Sequence, residues 1–242
     1  MQIKNGEFWL GNCLELMRDI PDGSVDMVLC DLPYGTTQNK WDTVIPFKPL
    51  WAEYWRVVKP NAAIVLTAQC PFDKSLGMSQ IQHLKYEWVW NKCRGTGHLN
   101  AKIQPMKSHE NVLIFYKKKC SYNPQMSFGH STYETPENSA SKNYGSVIGT
   151  KTKNTDGSRY PVSIQDFKTH KNPLHPTQKP VALFEYLIKT YTNEGETVLD
   201  NCAGSGTTAI AAENTNRKWI CIEQEPEYYN KACFRVMLND HA

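Results

Sequence analysis

A glycine turn close to the C-terminal end constrains the fold of this chain more than any other feature. The strand-like run Val198–Asp200 leads into Gly204–Thr208 (Gly-Ser-Gly-Thr-Thr), which predicts a tight turn opening a helix, and Glu223 ends the next apolar run. This arrangement suits a nucleoside, because glycines let the backbone approach the ligand and a carboxylate accepts hydrogen bonds from ribose hydroxyls. About 20 residues follow Glu223, too few to complete a doubly wound sheet. The remaining strands must therefore come from the first half of the chain.

The glycine turn by itself does not select one cofactor. Gly204, Gly206 and Ala209 also fit the spacing of a dinucleotide-binding fingerprint, which leaves NAD open at this point. Two observations favour a different nucleoside. A sheet whose nucleoside half comes last is unusual for NAD enzymes, and a carboxylate at the strand tip, Asp200, suits a cationic sulfonium and ammonium better than a pyrophosphate.

The rest of the chain alternates strand-like and helical stretches, which predicts a mainly parallel sheet covered on both faces. Strands are predicted at Val25–Cys30, Ala62–Thr67, Tyr86–Trp90, Asn111–Tyr116, Thr197–Asp200 and Lys218–Glu223. Helices are predicted at Leu14–Ile20, at Pro49–Val57, at Pro180–Tyr191, from the glycine turn to about Asn214, and at Pro226–Leu238. We therefore divide the chain into a first half of the sheet (1–116), an inserted region (117–175) and a second half of the same sheet (176–242).

Composition and cysteine usage exclude several classes of protein. The chain has 242 residues, of which 40% are hydrophobic and 21% charged, as in globular rather than disordered proteins. Its longest apolar runs are strand-sized and its first residues lack a signal-peptide pattern, so we expect a cytoplasmic protein without a membrane span. Its eight cysteines are dispersed and form no Cys-x-x-Cys pair. Neither a metal site nor a disulfide framework is therefore expected.

The inserted region differs from both halves of the sheet in texture and in charge. It is rich in Ser, Thr, Asn, Gly and Lys, with little periodicity. Residues 117–176 hold nine basic and four acidic residues, although the whole chain carries a net charge of only +3. A local basic excess is typical of a surface that binds a polyanion, but solvated lysines on an ordinary loop give the same count. Nucleic-acid recognition and a loop without a role both stay open.

A second turn, Asp31-Leu32-Pro33-Tyr34, follows the predicted strand Val25–Cys30. Ligands of open α/β sheets bind beyond the carboxyl ends of the strands, where this turn must lie. The Asp31 carboxylate and the Leu32 main-chain carbonyl provide two hydrogen-bond acceptors, which the weakly nucleophilic exocyclic amine of a nucleobase needs before it can react. Pro33 fixes the local backbone, and Tyr34 offers an aromatic face to a base taken out of a duplex. An ordinary strand-ending turn with a capping Asp explains the same residues equally well.

Together these segments resemble the β class of DNA amino-methyltransferases, which carry an Asp-Pro-Pro-Tyr motif and a cofactor loop in this permuted order. Asp31–Tyr34 matches the catalytic motif and Asp200–Thr208 the cofactor loop, and the resemblance covers nearly the whole chain. Further matching segments are Gly11–Leu14, Pro21–Asp26, Trp90–Lys92, His109–Asn111 and His175–Pro180. The resemblance implies a Rossmann-like, doubly wound, circularly permuted sheet of seven strands with the last hairpin antiparallel. It also implies S-adenosylmethionine as the cofactor.

The resemblance further implies which residues form the site. The catalytic residues are expected to be Asp31, Leu32, Pro33 and Tyr34. The cofactor-binding residues are expected to be Asn12, Cys13, Asp31, Thr177, Gln178, Lys179, Asp200, Asn201, Cys202, Ala203, Gly204, Ser205, Gly206, Thr207 and Glu223. The family pattern differs at three places: Leu32 replaces its first proline, Asn201-Cys202 replaces Pro-Phe, and Asn12 stands where aspartate is usual. The first change is tolerable if only the backbone carbonyl of Leu32 is used.

The resemblance implies methylation of the N6 amine of adenine in double-stranded DNA, because the first position of the catalytic motif is an aspartate, and it implies that the adenine is flipped out of the helix. Methylation of cytosine N4, which more often goes with serine there, is the nearest alternative. Glutamine methylation of proteins is more remote, because its Asn-Pro-Pro-Tyr motif follows the cofactor loop. An NAD-dependent oxidoreductase leaves the Asp31 turn unexplained, and a DNA-binding protein without catalysis is a further alternative. The resemblance also suggests a homodimer, a cognate restriction endonuclease, and target recognition by residues 117–175.

Overall fold

The structure is a computed structural model that describes residues 1–37, 39, 42–134, 153–169 and 178–238. The helices in these residues are α1 (Cys13–Leu16), α2 (Phe47–Val57), α3 (Phe72–Ser79), α4 (Val181–Tyr191), α5 (Thr207–Asn214) and α6 (Pro226–Leu238). The strands are β1 (Gln2–Ile3), β2 (Gly6–Leu10), β3 (Val25–Asp31), β4 (Val58–Ala68), β5 (Leu84–Thr96), β6 (Lys107–Phe115), β7 (Tyr133–Glu134), β8 (Lys153–Asn154), β9 (Ile164–Asp166), β10 (Thr197–Asp200) and β11 (Lys218–Glu223). None of the helices described here is long and apolar enough to cross a bilayer.

One mixed sheet contains most of these strands, in the order β1-β2-β11-β10-β3-β4-β6-β5-β9. Strands β2, β11, β10, β3 and β4 pair in parallel, whereas β6 runs antiparallel to both β4 and β5. The predicted doubly wound, mainly parallel sheet is therefore confirmed, together with its antiparallel hairpin β5–β6. The resemblance implies seven strands, and the observed sheet adds two short ones at its edges, β1 and β9, which have two and three residues.

The C-terminal strands lie inside this sheet rather than at its edge. Strand β10 pairs with β3 on one side and with β11 on the other, and β11 pairs in turn with β2. The glycine turn after β10 and the Asp31 turn after β3 therefore follow neighbouring parallel strands. Because parallel neighbours end at the same edge of a sheet, the two turns emerge side by side. This pairing confirms the permuted order of the sheet.

Both faces of the sheet are covered, which explains why β3 is an almost continuous apolar run. Successive side chains of a strand point to opposite faces. Met27 and Leu29 belong to the core shared with α4, α5 and α6, whereas Val28 and Cys30 belong to the core shared with α1, α2 and α3. All four side chains are fully buried, so packing on both faces holds the strand that ends at Asp31.

Most element boundaries agree with the sequence to within a few residues, and the exceptions have local causes. The predicted helix Leu14–Ile20 is one α-helical turn, Cys13–Leu16, followed by a 3₁₀ turn at Met17–Asp19. The sequence does not predict β2 or α3. Strand β2 has only five residues and begins with a glycine, and the eight-residue α3 contains Gly77, a poor helix former.

Gly6 begins β2 directly opposite Trp219 of β11. A β-carbon at Gly6 would lie 2.2 Å from the Trp219 indole and 2.4 Å from the Trp219 carbonyl oxygen. We expect Gly6→Ala to lower the free energy of unfolding by about 2 kcal/mol, because the buried Trp219 ring and the hydrogen-bonded backbone of β11 can shift only slightly. Chemical denaturation of the two proteins measures this difference.

Gly23→Ala is the matched control for this substitution. A β-carbon at Gly23 meets no atom within 4 Å, so only the backbone strain of its φ of +60° is added. Its cost is expected to be about 1 kcal/mol. Equal losses in the two variants would contradict the close approach of Gly6 and Trp219.

Residues 124–162 form one compact unit, and residues 1–123 with 163–242 form the other. In the described part of the smaller unit, β7 and β8 pair antiparallel, and Ser127 and Arg159 form a further bridge. The Arg159 guanidinium lies 4.7 Å from the centre of the Tyr133 ring. The predicted inserted region, 117–175, is wider than this unit, because β9 pairs with β5 in the main sheet. Residues 135–152 and 170–175 of that region lie outside the described chain.

Candidate active site

Both predicted turns open into one cavity at the carboxyl ends of β3, β10 and β11. The cavity measures about 620 Å³, within the usual range for small-molecule sites. The predicted site residues that line it are Asn12, Cys13, Asp31, Leu32, Pro33, Tyr34, Gln178, Lys179, Asp200, Asn201, Cys202, Ala203, Gly204, Ser205, Thr207 and Glu223. Gly206 is not among the lining residues and is the N-cap of α5, directly before Thr207. Thr177 and the preceding His175-Pro176 lie outside the described residues.

The Asp31 carboxylate, at the end of β3, has hydrogen-bond donors on both of its oxygens. Oδ1 accepts from the Tyr34 hydroxyl at 2.6 Å and from the Thr67 hydroxyl at 2.5 Å. Oδ2 accepts from the Lys179 ammonium at 2.5 Å. A carboxylate offers about four lone-pair positions, so these three donors leave capacity for one more.

Tyr34 directs its hydroxyl at Asp31, a contact that the sequence did not indicate. Its ring stacks on Phe72, with the ring centres 5.1 Å apart, so one face of the ring is covered. Burial, together with the carboxylates of Asp31 and Glu110, raises the pKa of Tyr34, which keeps the hydroxyl a hydrogen-bond donor. Leu32 is 3% exposed and buries its side chain in the core, which leaves its backbone for contact with a ligand.

Glu223 fastens the cofactor loop to the end of β11. One of its carboxylate oxygens accepts the main-chain N–H of Gly204 at 2.7 Å, and the other accepts that of Glu225 at 2.9 Å. Gly204 and Gly206 have φ values of +52° and +76°, a region that other residues rarely adopt. Burial raises the pKa of Glu223. Each Glu223 oxygen retains a lone pair, so the carboxylate can accept further hydrogen bonds from a ligand in the cavity.

Asp200 ends β10 and holds the turn that follows. Oδ1 accepts the N–H of Cys202 at 3.0 Å, and Oδ2 accepts from the Thr208 hydroxyl in the first turn of α5. The residue is 3% exposed, and burial raises its pKa to about 6. Asp200 is therefore an anchor of the loop as well as a negative charge at the cavity, and the sequence indicated only the second.

Side chains of α2 and α6 hold two residues of the cofactor loop, Asn201 and Ser205, in place. The Asn201 side chain is buried and accepts from the Tyr54 hydroxyl of α2 at 2.5 Å. The Ser205 carbonyl accepts from the Arg235 guanidinium of α6 at 2.9 Å. Asn201 thus replaces the proline of the family pattern with a hydrogen bond that fixes the same loop.

The predicted residues outside the loop divide into two groups. Asn12 caps α1 by accepting the N–H of Leu14 at 2.9 Å, and Cys13 lies beside Cys202 at the same wall of the cavity. Lys179 instead points its ammonium at the carboxylates of Asp31 and Glu110. The ammonium of Lys179 thus joins the Asp31 turn, while its main-chain carbonyl accepts from the Thr207 hydroxyl of the cofactor loop at 3.4 Å.

Three polar residues that the sequence did not single out surround Asp31. Thr67 of β4 pairs in register with Asp31. Glu110 of β6 lies 2.6 Å from the Lys92 ammonium and 3.3 Å from the Lys179 ammonium. The only sequence signal for Lys92 and Glu110 is their place in two segments that resemble the family, and no such signal exists for Thr67.

The chain matches known DNA methylases in sequence and in structure. A family model described as DNA methylase, of the N6/N4 type, matches residues 25–234. The type II methyltransferase M.HpaI of Haemophilus parainfluenzae is 27% identical over 93% of this chain and 72% of its own length. The DNA adenine methyltransferase YhdJ of Escherichia coli is 27% identical over 96% of this chain and 82% of its own. The solved PvuII DNA methyltransferase, which is cytosine-N4-specific, covers 100% of this chain and 89% of its own at 18% identity, with a TM-score of 0.69.

The structural likeness to the PvuII enzyme, at 18% identity, supports the fold alone. The match to the family model shows which family the chain belongs to. The matched residues begin with β3 and end within α6, so they include both turns that line the cavity. The order of the two turns, with the Asp31 turn first, is the order that the resemblance implied. This chain therefore belongs to the family of N6/N4 DNA methylases, which are site-specific, S-adenosylmethionine-dependent DNA methyltransferases.

Proposed function

We propose that this protein transfers a methyl group from S-adenosylmethionine to the N6 amine of adenine in DNA. The observation that carries the proposal is the position of the Asp31 carboxylate, which shares one cavity with the Gly204 loop and Glu223. An acceptor for an exocyclic amine and a cradle for a nucleoside thus lie in the same space.

The donor and acceptor groups around the loop fit S-adenosylmethionine. Glu223 has remaining lone pairs for the two ribose hydroxyls, and Asp200 supplies negative charge beside a cationic ligand. Asn12 and Gln178 add polar groups to the lining. When bound, this cofactor supplies an electrophilic methyl group on a positively charged sulfur.

The hydrogen-bond acceptors of the Asp31 turn can make the weakly nucleophilic amine more reactive. The nitrogen lone pair of adenine N6 is delocalised into the ring, and hydrogen bonds from its N–H groups to strong acceptors return electron density to the nitrogen. In our proposal, Asp31 Oδ2 accepts one N–H and the Leu32 carbonyl accepts the other. The nitrogen would form its bond to the methyl carbon as the bond from that carbon to the cofactor sulfur breaks, so that the cofactor leaves as a neutral thioether. The nitrogen would release one proton to solvent, so the amine remains neutral at the end of the reaction.

The choice of adenine is supported by the aspartate at the first position of the motif and by the likeness to YhdJ, an adenine methyltransferase. Cytosine N4 methylation is the second candidate, because the same acceptors suit either amine and the PvuII enzyme has that specificity. Incubating the protein with unmethylated DNA, digesting the DNA to nucleosides and weighing the products distinguishes the two. N6-methyladenine is the expected product, and a sample with N4-methylcytosine alone would rule out the adenine proposal.

We further propose that the inserted region, 117–175, recognises the target sequence. Its basic excess suits the phosphates of DNA, which set binding strength and register, whereas base contacts select the sequence. Flipping the base costs a few kcal/mol, which contacts made by this region and by the cavity must offset. A homodimer and a cognate restriction endonuclease remain predictions from the family resemblance.

The affinity for S-adenosylmethionine is expected to weaken as the pH falls through about 6. Burial raises the pKa of Asp200 to about 6, so the carboxylate is mostly ionised at pH 7.5 and mostly protonated at pH 5. A cationic ligand binds the ionised form better, so the Kd should rise by about tenfold between these two pH values. Titration calorimetry across this range measures the effect.

The Asp200→Asn variant tests the assignment, because it keeps the side-chain shape and removes the titration. Its Kd should vary with pH much less than that of the unchanged protein. The pH dependence that remains is expected to come from Glu223. An unchanged pH dependence in this variant would assign the titration to another group.

A further inference from the structure

A chain of four alternating charges surrounds the catalytic turn. The Lys92 ammonium lies 2.6 Å from Glu110, Glu110 lies 3.3 Å from the Lys179 ammonium, and Lys179 lies 2.5 Å from Asp31. The side chains of Lys179, Glu110 and Lys92 are only 5%, 8% and 12% exposed. Charges this deeply buried are tolerated only when they are paired, so the four form one unit.

Tertiary structure builds this unit from four separate segments. Asp31 ends β3, and Lys179 lies two residues before α4. Glu110 of β6 is opposite Trp90 of β5, which places Lys92 diagonally across on the same face. The ion pairs therefore join the catalytic turn to the antiparallel hairpin and to the helix that precedes the cofactor loop.

Lys179 is the member that separates the two carboxylates. Its ammonium contacts one oxygen of Asp31 and one of Glu110, so these oxygens lie within about 6 Å of each other. Burial alone would lower the pKa of Lys179, but the two carboxylates outweigh burial and raise it. Burial alone would raise the pKa of Glu110, but the ammoniums of Lys179 and Lys92 outweigh it and lower the pKa.

We propose that Lys179 is a positioning residue for methyl transfer, whose ammonium holds Asp31 in place as an acceptor and keeps it apart from Glu110. The inference rests on the proposed role of Asp31 toward an amine and holds for adenine or cytosine alike. Lys179 occupies one lone pair of Oδ2 and leaves the other for the substrate. An Asp31 that carried a proton would present a donor to the amine and could not activate it.

Removing the ammonium leaves two buried carboxylates facing each other. Such a pair takes up one proton at a higher pH than isolated carboxylates do, because both cannot ionise at short range. In the described part of the chain, the charged or titratable groups that interact with Asp31 are Cys30 of β3, Tyr34 of the same turn, Lys179 before α4 and Asp200 of β10. Glu110 of β6 is joined to Asp31 through Lys179, and Lys92 of β5 is joined through Glu110. Of these, only Lys179 places a positive charge directly on Asp31.

The test compares four variants over pH 6.5 to 8.5 at saturating S-adenosylmethionine, which removes the contribution of Asp200. Lys179→Gln keeps a donor and loses the charge, and Lys179→Arg keeps the charge. Lys179→Gln combined with Glu110→Gln removes the facing carboxylate as well. Lys59→Gln is the matched control, because Lys59 pairs at 2.7 Å with Asp26, a residue of β3 outside the cavity.

The methyl-transfer rate of Lys179→Gln should fall about tenfold from pH 8.5 to pH 6.5. Lys179→Arg should keep the pH dependence of the unchanged protein, whatever its absolute rate, and Lys59→Gln should match the unchanged protein in both. The double variant should lose most of this pH dependence. A Lys179→Gln profile parallel to that of the unchanged protein would overturn the proposal. If that variant does not fold, a methyl-transfer rate that falls toward pH 6.5 in the double variant or in Lys179→Arg, and not in the unchanged protein, overturns the proposal equally.

Thermal unfolding gives a second readout that does not depend on the reaction. An acid whose pKa is raised in the folded state stabilises the fold as the pH falls, so the Tm of Lys179→Gln should rise relative to the unchanged protein between pH 8.5 and 6.5. The double variant should not show this rise, and its presence there would contradict the inference. The product nucleoside of the unchanged protein separately tests the proposed function, so the two failures are distinguishable.

Discussion

Replacing Asp31 with alanine is expected to slow methyl transfer by about 10³-fold, because the amine loses its carboxylate acceptor. Binding of S-adenosylmethionine and DNA should persist, since the loop around Gly204 is held by other residues. The fold should also survive, because Lys179 keeps Glu110 as a partner and is not left as a buried unpaired charge. Single-turnover transfer of a labelled methyl group to DNA measures the rate, and calorimetry measures cofactor binding.

Asp26→Ala is the matched control for Asp31→Ala. Asp26 lies on the same strand and also pairs with a lysine, Lys59, at 2.7 Å, but it does not line the cavity. Its loss should lower stability slightly and leave the transfer rate at saturating substrates unchanged. Full activity in Asp31→Ala would refute the role of Asp31, and an equal loss in both variants would point to a general defect in β3.

Replacing Glu223 with alanine is expected to weaken S-adenosylmethionine binding by about 10²-fold, because two kinds of hydrogen bond to a charged group are lost together. One kind joins Glu223 to the N–H groups of Gly204 and Glu225 and shapes the loop. The other kind is the proposed pair to the ribose hydroxyls. Calorimetric titration of the variant with S-adenosylmethionine gives the Kd, and the transfer rate at saturating cofactor should fall far less.

The control for Glu223→Ala is Glu227→Ala on α6. Glu227 pairs with Lys231, one helical turn away, in an exposed position. Its removal should leave the Kd within about twofold, because exposed pairs of this kind contribute little. An unchanged Kd in Glu223→Ala would show that the cofactor is held elsewhere and would remove the main support for the loop as its cradle.

The two cofactor-side strands could be predicted to the residue. Thr197–Asp200 and Lys218–Glu223 are short apolar runs closed by a carboxylate, and the observed β10 and β11 have these bounds. Both strands lie inside the sheet, so the residues between their ends are apolar, which makes the strands easy to recognise. The edge strands β1 and β9 have two and three residues, of which Ile3 is the one that is buried, and they leave no comparable pattern.

The inserted region shows where sequence patterns stop being informative. Residues 164–166 lie within the predicted range of 117–175, yet they pair with β5 and belong to the main sheet. A three-residue strand with the exposure pattern of β9 has neither a hydrophobic run nor alternation to mark it. Its place is decided by the strand it meets, which local sequence does not contain.

The sequence by itself determined the fold class, the order of the two turns and the identity of the groups they carry. A tight turn, a buried strand and a terminal carboxylate are local features, and each depends on residues that are neighbours in the chain. Tertiary structure alone decided how the turns are used. Pairing of β3 with β4 brings the Thr67 hydroxyl to Asp31, and pairing of β5 with β6 brings Lys92 to Glu110. Lys179 contacts both carboxylates although it is 148 residues from Asp31 in the chain. A buried charge is stable only beside an opposite charge, and only the folded chain brings such distant residues together.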